Sequence, residues 1–224
     1  MTDEEAKRQA AVAALAYLPD SGVVGLGTGS TSDYFTREVA KLCQQGRKLV
    51  GVPTSKRTRA LAESLGIPLL GDEGPWSIDV CVDGADEVSP NFDLIKGGGA
   101  SHTREKIVNA AARFNVILVD ESKLSNTLGT RCPLPVEVLQ FGHASTQSHL
   151  ERWGRPVLRK KGEQVVCTDS GNFVYDLHGQ IKDPCELNTR VACIPGVVET
   201  GLFLGRANVV LVGSPNGCRE LARP

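Results

Sequence analysis

The sequence carries almost no surplus of charge, with 25 Lys and Arg against 26 Asp and Glu and a formal net charge of -1. No basic run stands out, so there is no electrostatic footprint for nucleic acid or for an anionic membrane. No apolar stretch approaches the roughly 20 residues of a membrane-spanning helix. The opening Met1-Thr2-Asp3-Glu4-Glu5 is acidic and lacks the basic and apolar regions of a signal peptide, so a cytoplasmic location is expected. Cysteines stand at 43, 81, 132, 167, 185, 193 and 218, an odd number without a CxxC pair. That pattern argues against a disulfide framework or zinc site and reads as small buried apolar residues. The histidines His102, His143, His149 and His178 lack metal-ligand spacing such as HExxH. No GxSxG elbow is present, so serine-nucleophile chemistry lacks support. GxGxxG and GxxxxGK[ST] are absent as well, which removes a full dinucleotide or NTP site. There is no internal repeat or low-complexity segment.

What is present is a long alternation of strand and helix. Residues Asp3–Leu18 read as a helix stopped by Pro19. Strands are predicted at Gly22–Gly27, Lys48–Val52, Ile67–Leu70, Ile78–Val82 and Val116–Val119. Helices fill the gaps at Ser32–Gln45, from the Thr54-Ser55 cap to Leu65, and from Ser101, with Ile107, Val108, Ala111 and Phe114 on one sheet-facing side. This rhythm predicts a parallel, doubly wound sheet. It changes near Gly129. From there Val136–Phe141, Val157–Arg159, Gln164–Thr168 and Phe173–Leu177 read as strands, Thr146–Trp153 and Pro184–Ala192 as helices, and Asp169-Ser170-Gly171-Asn172 as a hairpin turn. Val209–Val212 is a buried apolar strand expected to return to the first sheet. The expected class is therefore α/β. A doubly wound sheet domain (1–128 and 204–224) carries a smaller inserted α+β domain (129–203).

Chemistry concentrates at predicted strand ends, where open α/β sheets bind ligands. Gly27-Thr28-Gly29-Ser30-Thr31 links a strand to a helix, an arrangement that suits an anion at the helix N-terminus. Asp83-Gly84-Ala85-Asp86-Glu87 follows the strand ending at Val82. Its carboxylates could bind Mg²⁺, could do acid–base work, or could form a solvated turn. Lys96-Gly97-Gly98-Gly99 then offers a cation and backbone N–H groups suited to an anion or a developing oxyanion. Glu105 lies one turn into the next helix, where it is either a favourable charge on the helix dipole or, if buried, a candidate general base. Lys123 follows the fifth strand. Lys7, on the first helix, has nothing in its spacing to separate it from a surface lysine.

Taken together, GLGTGST (25–31), DGADE (83–87), KGGG (96–99), TREKI (103–107), DESK (120–123), PLPVEV (133–138), TDSGN (168–172) and IPGVVETGLF (194–203) make the chain resemble the type A ribose-5-phosphate isomerases over nearly its whole length. The resemblance implies a Rossmann-like domain with a ferredoxin-like insertion, no cofactor or metal, a sugar phosphate as partner, and a homodimer or homotetramer. It implies an aldose–ketose isomerase acting on ribose 5-phosphate. It places substrate on Thr28, Gly29, Ser30, Thr31, Asp83, Gly84, Ala85, Asp86, Lys96, Gly97, Gly98, Gly99 and Lys123, with Lys7 near the phosphate. Glu105 becomes the proton acceptor, and Asp83 and Lys96 act with it. One departure stands out: Ser101-His102 replaces the small-apolar pair that commonly follows the triple glycine, and a non-catalytic role is expected for His102.

Overall fold

The protein is described by a computed structural model covering residues 2–221. It divides into two compact units, one made of residues up to Ala85, Arg104–Lys123 and those from Arg206 on, the other of Asp86–Thr103 and Leu124–Gly205.

The first unit is built on a sheet of strands β1 (Ser21–Leu26), β2 (Lys48–Pro53), β3 (Ile78–Gly84), β4 (Ala112–Asp120), β5 (Val209–Ser214) and β6 (Gly217–Leu221). The spatial order is β6-β5-β4-β3-β1-β2, and every pairing is parallel except the β5–β6 hairpin. Parallel strands are covered on both faces, which is why they read as continuous apolar runs. On one face Val24, Leu26, Val80, Val82, Val116 and Leu118 pack with Ala10 and Ala14 of α1 and its extension (Thr2–Ala13, then Ala14–Tyr17), and with Phe35 and Val39 of α2 (Ser30–Gln44). Ala62 of α3 (Lys56–Ser64) joins them, and that helix is capped by Ser55 as the sequence indicates. On the other face Val108 of α4 (His102–Ala111) packs with Val52, Ile78 and Cys81. The apolar run at Val209–Val212 returns to this sheet, pairing in parallel with Val116–Val119.

Two local expectations are corrected. Ile67–Leu70 is not a strand of the ladder. It makes a single parallel bridge, Gly51 to Leu69, because Pro68 has no N–H to continue the pairing. The apolar side of α4 is also narrower than expected. Ile107 is 54 % exposed, and Phe114 belongs to β4, which begins at Ala112 directly after the helix.

The second unit has βαββαβ order: Leu134–Val138, α5 (His143–Leu150), Arg155–Leu158, Phe173–His178, α6 (Pro184–Ala192) and Val197–Thr200. The fourth strand lies beside the first, the first beside the third and the third beside the second, all antiparallel, which is a ferredoxin-like sheet. Val136, Tyr175, Leu177, Leu150 and Val191 form its core. A three-stranded ribbon pairs Leu94–Ile95 with Glu87–Val88 on one side and Leu202–Phe203 on the other. That pairing draws Asp86–Thr103, placed by sequence before the insertion, into this unit.

Candidate active site

In the first unit the sheet order reverses between β1 and β3, since β1 is followed by β2 on one side and then by β3 on the other. Loops beyond such a switch point form the natural crevice of a doubly wound sheet. Asp83 lies near the end of β3 there, one residue before Gly84, and is 3 % exposed. Its Oδ1 accepts from Gly84 N at 2.7 Å, Thr28 N at 3.0 Å and Ser32 Oγ at 3.1 Å. Gly27 makes this approach possible, because a Cβ there would lie 2.1 Å from Asp83 Oδ1 and 2.6 Å from Asp83 Cα. The strand–glycine–helix loop thus cradles the carboxylate at the end of the neighbouring strand.

Thr28 is held to the fold by its N–H and its hydroxyl. Its N–H holds Asp83, and its Oγ1 lies 2.7 Å from Thr54 Oγ1, 2.8 Å from Ser55 Oγ and 3.1 Å from Thr58 Oγ1. Thr58 Oγ1 in turn donates to Gly27 O at 3.1 Å. This hydroxyl cluster fixes the loop from behind. Gly29 has φ +127°, a backbone conformation that side-chain-bearing residues rarely adopt, and a Cβ there would meet nothing within 4 Å. Ser30 opens α2 and is exposed, while Thr31 is partly exposed.

Glu105 is 4 % exposed in the first turn of α4. The helix can lie close to the sheet because Gly25 has no side chain: a Cβ there would sit 2.9 Å from Val108 Cγ1 and 2.8 Å from Cys81 Sγ. Val108 is one turn beyond Glu105. Its seat against β1 and β3 therefore sets Glu105 toward the carboxyl edge of the sheet, where α4 begins. Lys7 reaches the same edge by a different close approach. Gly213, near the end of β5, would place a Cβ 2.0 Å from Ala6 O. Lys7 Nζ donates to Asp3 Oδ2 at 2.6 Å. That bond is the largest influence on the Asp3 carboxyl; desolvation opposes it, the smaller Lys7 and Lys123 charges reinforce it, and the net shift is below the ordinary value. The field of Lys123 thus reaches the Lys7–Asp3 pair.

The second unit holds the remaining residues. Lys96 follows the ribbon strand Leu94–Ile95 and is 3 % exposed, with Nζ 5.4 Å from the centre of the Phe203 ring. Gly97 has φ +110°, and a Cβ there would lie 2.7 Å from His102 Nδ1. The unusual His102 is fully buried behind this loop, its Nε2 3.4 Å from Glu199 O. Gly98 N donates to Asp86 Oδ2 at 2.7 Å, and Gly98 and Gly99 are exposed.

Two buried carboxylates in this unit hold loops in place. Glu137 accepts from Thr103 Oγ1 at 2.5 Å on one oxygen, and from Thr168 Oγ1 and Asn172 Nδ2, both at 2.8 Å, on the other. It joins the TDSGN turn to the start of α4. Glu87, fully buried, accepts from Ser125 Oγ at 2.6 Å, Gly129 N at 3.0 Å and Thr130 Oγ1 at 3.0 Å, with the N–H groups of Thr130, Arg131 and Cys132 at 3.2 to 3.3 Å. Desolvation pushes its pKa up, but the donors from Ser125, Thr130, Arg131 and Cys132 outweigh it and the net shift is down. A lowered folded pKa adds stability above the unfolded value of about 4.3 and loses it as pH falls through the folded value. Glu87→Gln places an amide donor against these N–H groups. It should cost about 3 kcal/mol at pH 7, read as a lower urea midpoint at unchanged m. The gap from wild type should close as pH falls below about 4. A gap that stays constant with pH would show that the charge is not what holds the loop.

Among the described residues no three His, Cys, Asp or Glu side chains are grouped so as to hold a metal ion. Asp83 Oδ1 and both oxygens of Glu87 are engaged by N–H and O–H donors, which leaves the acidic turn organised as a hydrogen-bond acceptor. Sequence reasoning missed Thr54 and Thr58 as partners of Thr28, and Glu137, Arg159 and Asp176 in the second unit. No local pattern marks these contacts, which join residues distant along the chain.

The fold is that of a doubly wound α/β protein with a ferredoxin-like second unit. Residues 50–217 match the family model for ribose 5-phosphate isomerase A (phosphoriboisomerase A). The chain is 42 % identical over 231 residues to the ribose-5-phosphate isomerase A of Thermococcus kodakarensis, covering 100 % of both chains. Among solved structures, it resembles the Methanocaldococcus jannaschii ribose 5-phosphate isomerase A at 39 % identity and a TM-score of 0.92, covering 97 % of this chain and 98 % of that one. It also resembles a D-ribose-5-phosphate isomerase in complex with phospho-erythronic acid at 40 % identity and a TM-score of 0.94, with 100 % of both chains covered. The chain belongs to the ribose 5-phosphate isomerase A family.

Proposed function

We propose that the protein interconverts D-ribose 5-phosphate and D-ribulose 5-phosphate through an enediolate, as a step of the non-oxidative pentose phosphate pathway. The observation that carries this reading is likeness to one isomerase family along the whole chain. The buried carboxylates and the glycine loops support the following roles. Asp83, fixed in one orientation by three donors, moves the proton between the anomeric hydroxyl and the ring oxygen as the sugar opens. Glu105 takes the proton from C2 and returns it to C1, while the proton on O2 passes to O1. Lys96 and N–H groups of the glycine loop meet the negative oxygen of the enediolate. Asp86 orients sugar hydroxyls together with the Gly84-Ala85 backbone. Gly29, Ser30 and Thr31 at the start of α2, with Lys7 and Lys123, take the phosphate, and Thr28 shapes that loop.

The direct test is to add ribose 5-phosphate and follow appearance of the ketose; no ketose from folded protein would overturn the reading. No metal enters these roles. Activity should therefore survive EDTA unchanged, and a loss restored by Mg²⁺ or Mn²⁺ would return Asp83, Asp86 and Glu87 to the status of metal ligands. We further propose a cytoplasmic homodimer or homotetramer. Among the described residues no helix is long and apolar enough to cross a membrane. Phe141 is 95 % exposed and Leu139 47 %, next to the Val197–Thr200 strand of the second unit, an apolar surface suited to a second copy.

A further inference from the structure

We propose that Arg159 is a positioning residue for the isomerisation: it sets the direction of the peptide groups in the Gly97–Gly99 loop. The inference rests on the reading above, in which that loop faces the enediolate. Arg159 follows the strand Arg155–Leu158, and its side chain is 15 % exposed. Its own N–H bonds Val174 O at 2.9 Å. Nε donates to Asp176 Oδ2 at 2.9 Å, and Nη2 pairs with Asp176 Oδ1, so the guanidinium plane is locked by a two-pronged ion pair. The remaining nitrogen, Nη1, donates to Gly97 O at 2.7 Å and to Gly98 O at 3.2 Å.

A trans peptide is planar, so each carbonyl points opposite to the N–H that follows it. With the carbonyls of Gly97 and Gly98 drawn to Arg159, the N–H groups of Gly98 and Gly99 are turned to the other side. The first of these ends on Asp86 Oδ2 at 2.7 Å, which marks where that side lies. Three glycines in a row have no Cβ to bias these peptides. The Gly97 carbonyl also accepts from Ala100 N at 3.0 Å, so the Gly98–Gly99 peptide is the one whose direction rests most on Arg159. A fixed cation on the carbonyls selects one flip state before substrate arrives, and donors arranged in advance are what an oxyanion needs. The arrangement calls for arginine. A lysine reaching the carbonyls could not also fork onto Asp176.

Arg159→Ala should lower kcat about 10- to 100-fold, the range found when groups that orient metal ligands from behind are removed. KM for ribose 5-phosphate should stay within about threefold, because the phosphate contacts are untouched. Affinity for phospho-erythronic acid, whose carboxylate stands in for the enediolate oxygens, should fall by the same factor as kcat. Added guanidinium at tens of millimolar should restore part of kcat, and methylammonium should not. A folded variant with wild-type kcat overturns the proposal, as does a loss confined to KM or a loss that guanidinium leaves untouched. If Arg159→Ala does not fold, Arg159→Lys carries the test, with about a tenfold loss in kcat expected and an unchanged kcat overturning the assignment. Failure of the isomerase reading itself is distinct, because wild-type protein would then form no ketose.

Discussion

Glu105→Gln is expected to lower kcat by about 10²-fold or more, the usual contribution of a positioned acid–base group. Glutamine keeps the volume and hydrogen bonding of the side chain but removes the basic oxygen. KM should change little, because binding is assigned to the other loops. The environment favours this reading over a surface charge serving the helix dipole. Glu105 is 4 % exposed, and the seat of Val108 against Gly25 and Cys81 holds its helix in register with the sheet. Asp83→Asn should behave differently. Its carboxylate is held by Thr28, Ser32 and Gly84 at the end of β3, so the variant should slow use of cyclic sugar more than turnover of the open-chain form. The measurement that separates the roles is wash-out of deuterium from substrate C2 into solvent, followed alongside kcat. A folded Glu105→Gln protein that exchanges and turns over near wild-type rates would transfer the role of base to Asp83 or Asp86.

The parts of the site legible in the sequence are those built from neighbours in the chain. An apolar run ending in Asp83, a glycine turn opening α2 at Ser30, and a glycine run opening α4 each announce themselves by local composition. Contacts made across the fold do not. Nothing near Gly27 says that its missing side chain accommodates Asp83, 56 positions away. The cap at Ser55 is readable from its position before a helix. Its hydroxyl partnership with Thr28 is not, since it depends on β1 and β2 lying side by side. Arg159 and Asp176 read as ordinary polar residues at strand positions, and only the pairing of Asp176 with Val157 brings them together. The misplaced Phe114 has a similar origin. With no glycine or proline between α4 and β4, the apolar helical period runs on in the sequence, although the backbone has already become extended at Ala112. Pro68 was the one available sign that Ile67–Leu70 could not complete a ladder.

Removing the phosphate from the substrate should be more damaging than most substitutions in the protein. Free ribose is expected to react with a kcat/KM lower than that of ribose 5-phosphate by about 10³- to 10⁴-fold. The assigned phosphate groups are the start of a 15-residue helix at Gly29-Ser30-Thr31 and the cations Lys7 and Lys123. Backbone N–H groups at a helix start point outward and carry the positive end of the dipole, so they meet an anion without rearrangement. Three charge-assisted hydrogen bonds at about 1.5 kcal/mol or more each amount to roughly 4 to 5 kcal/mol, which corresponds to the stated range. The phosphate is remote from C1 and C2, yet its binding energy need not appear only in KM. Energy from a non-reacting group can be used to hold the reacting carbon against its base, so kcat should fall too. Lys7 is a minor contributor on this account. It already pairs with the exposed Asp3, and such pairs are worth about 1 kcal/mol or less, so turning toward phosphate costs little and gains little. Ser30→Ala with Thr31→Ala should therefore raise KM for the phosphorylated sugar more than Lys7→Met does. The same pair of changes should leave the rate with free ribose nearly unaltered, because ribose brings no phosphate to that loop. Equal kcat/KM for ribose and ribose 5-phosphate, or a double variant that slows both sugars alike, would remove the phosphate from the start of α2.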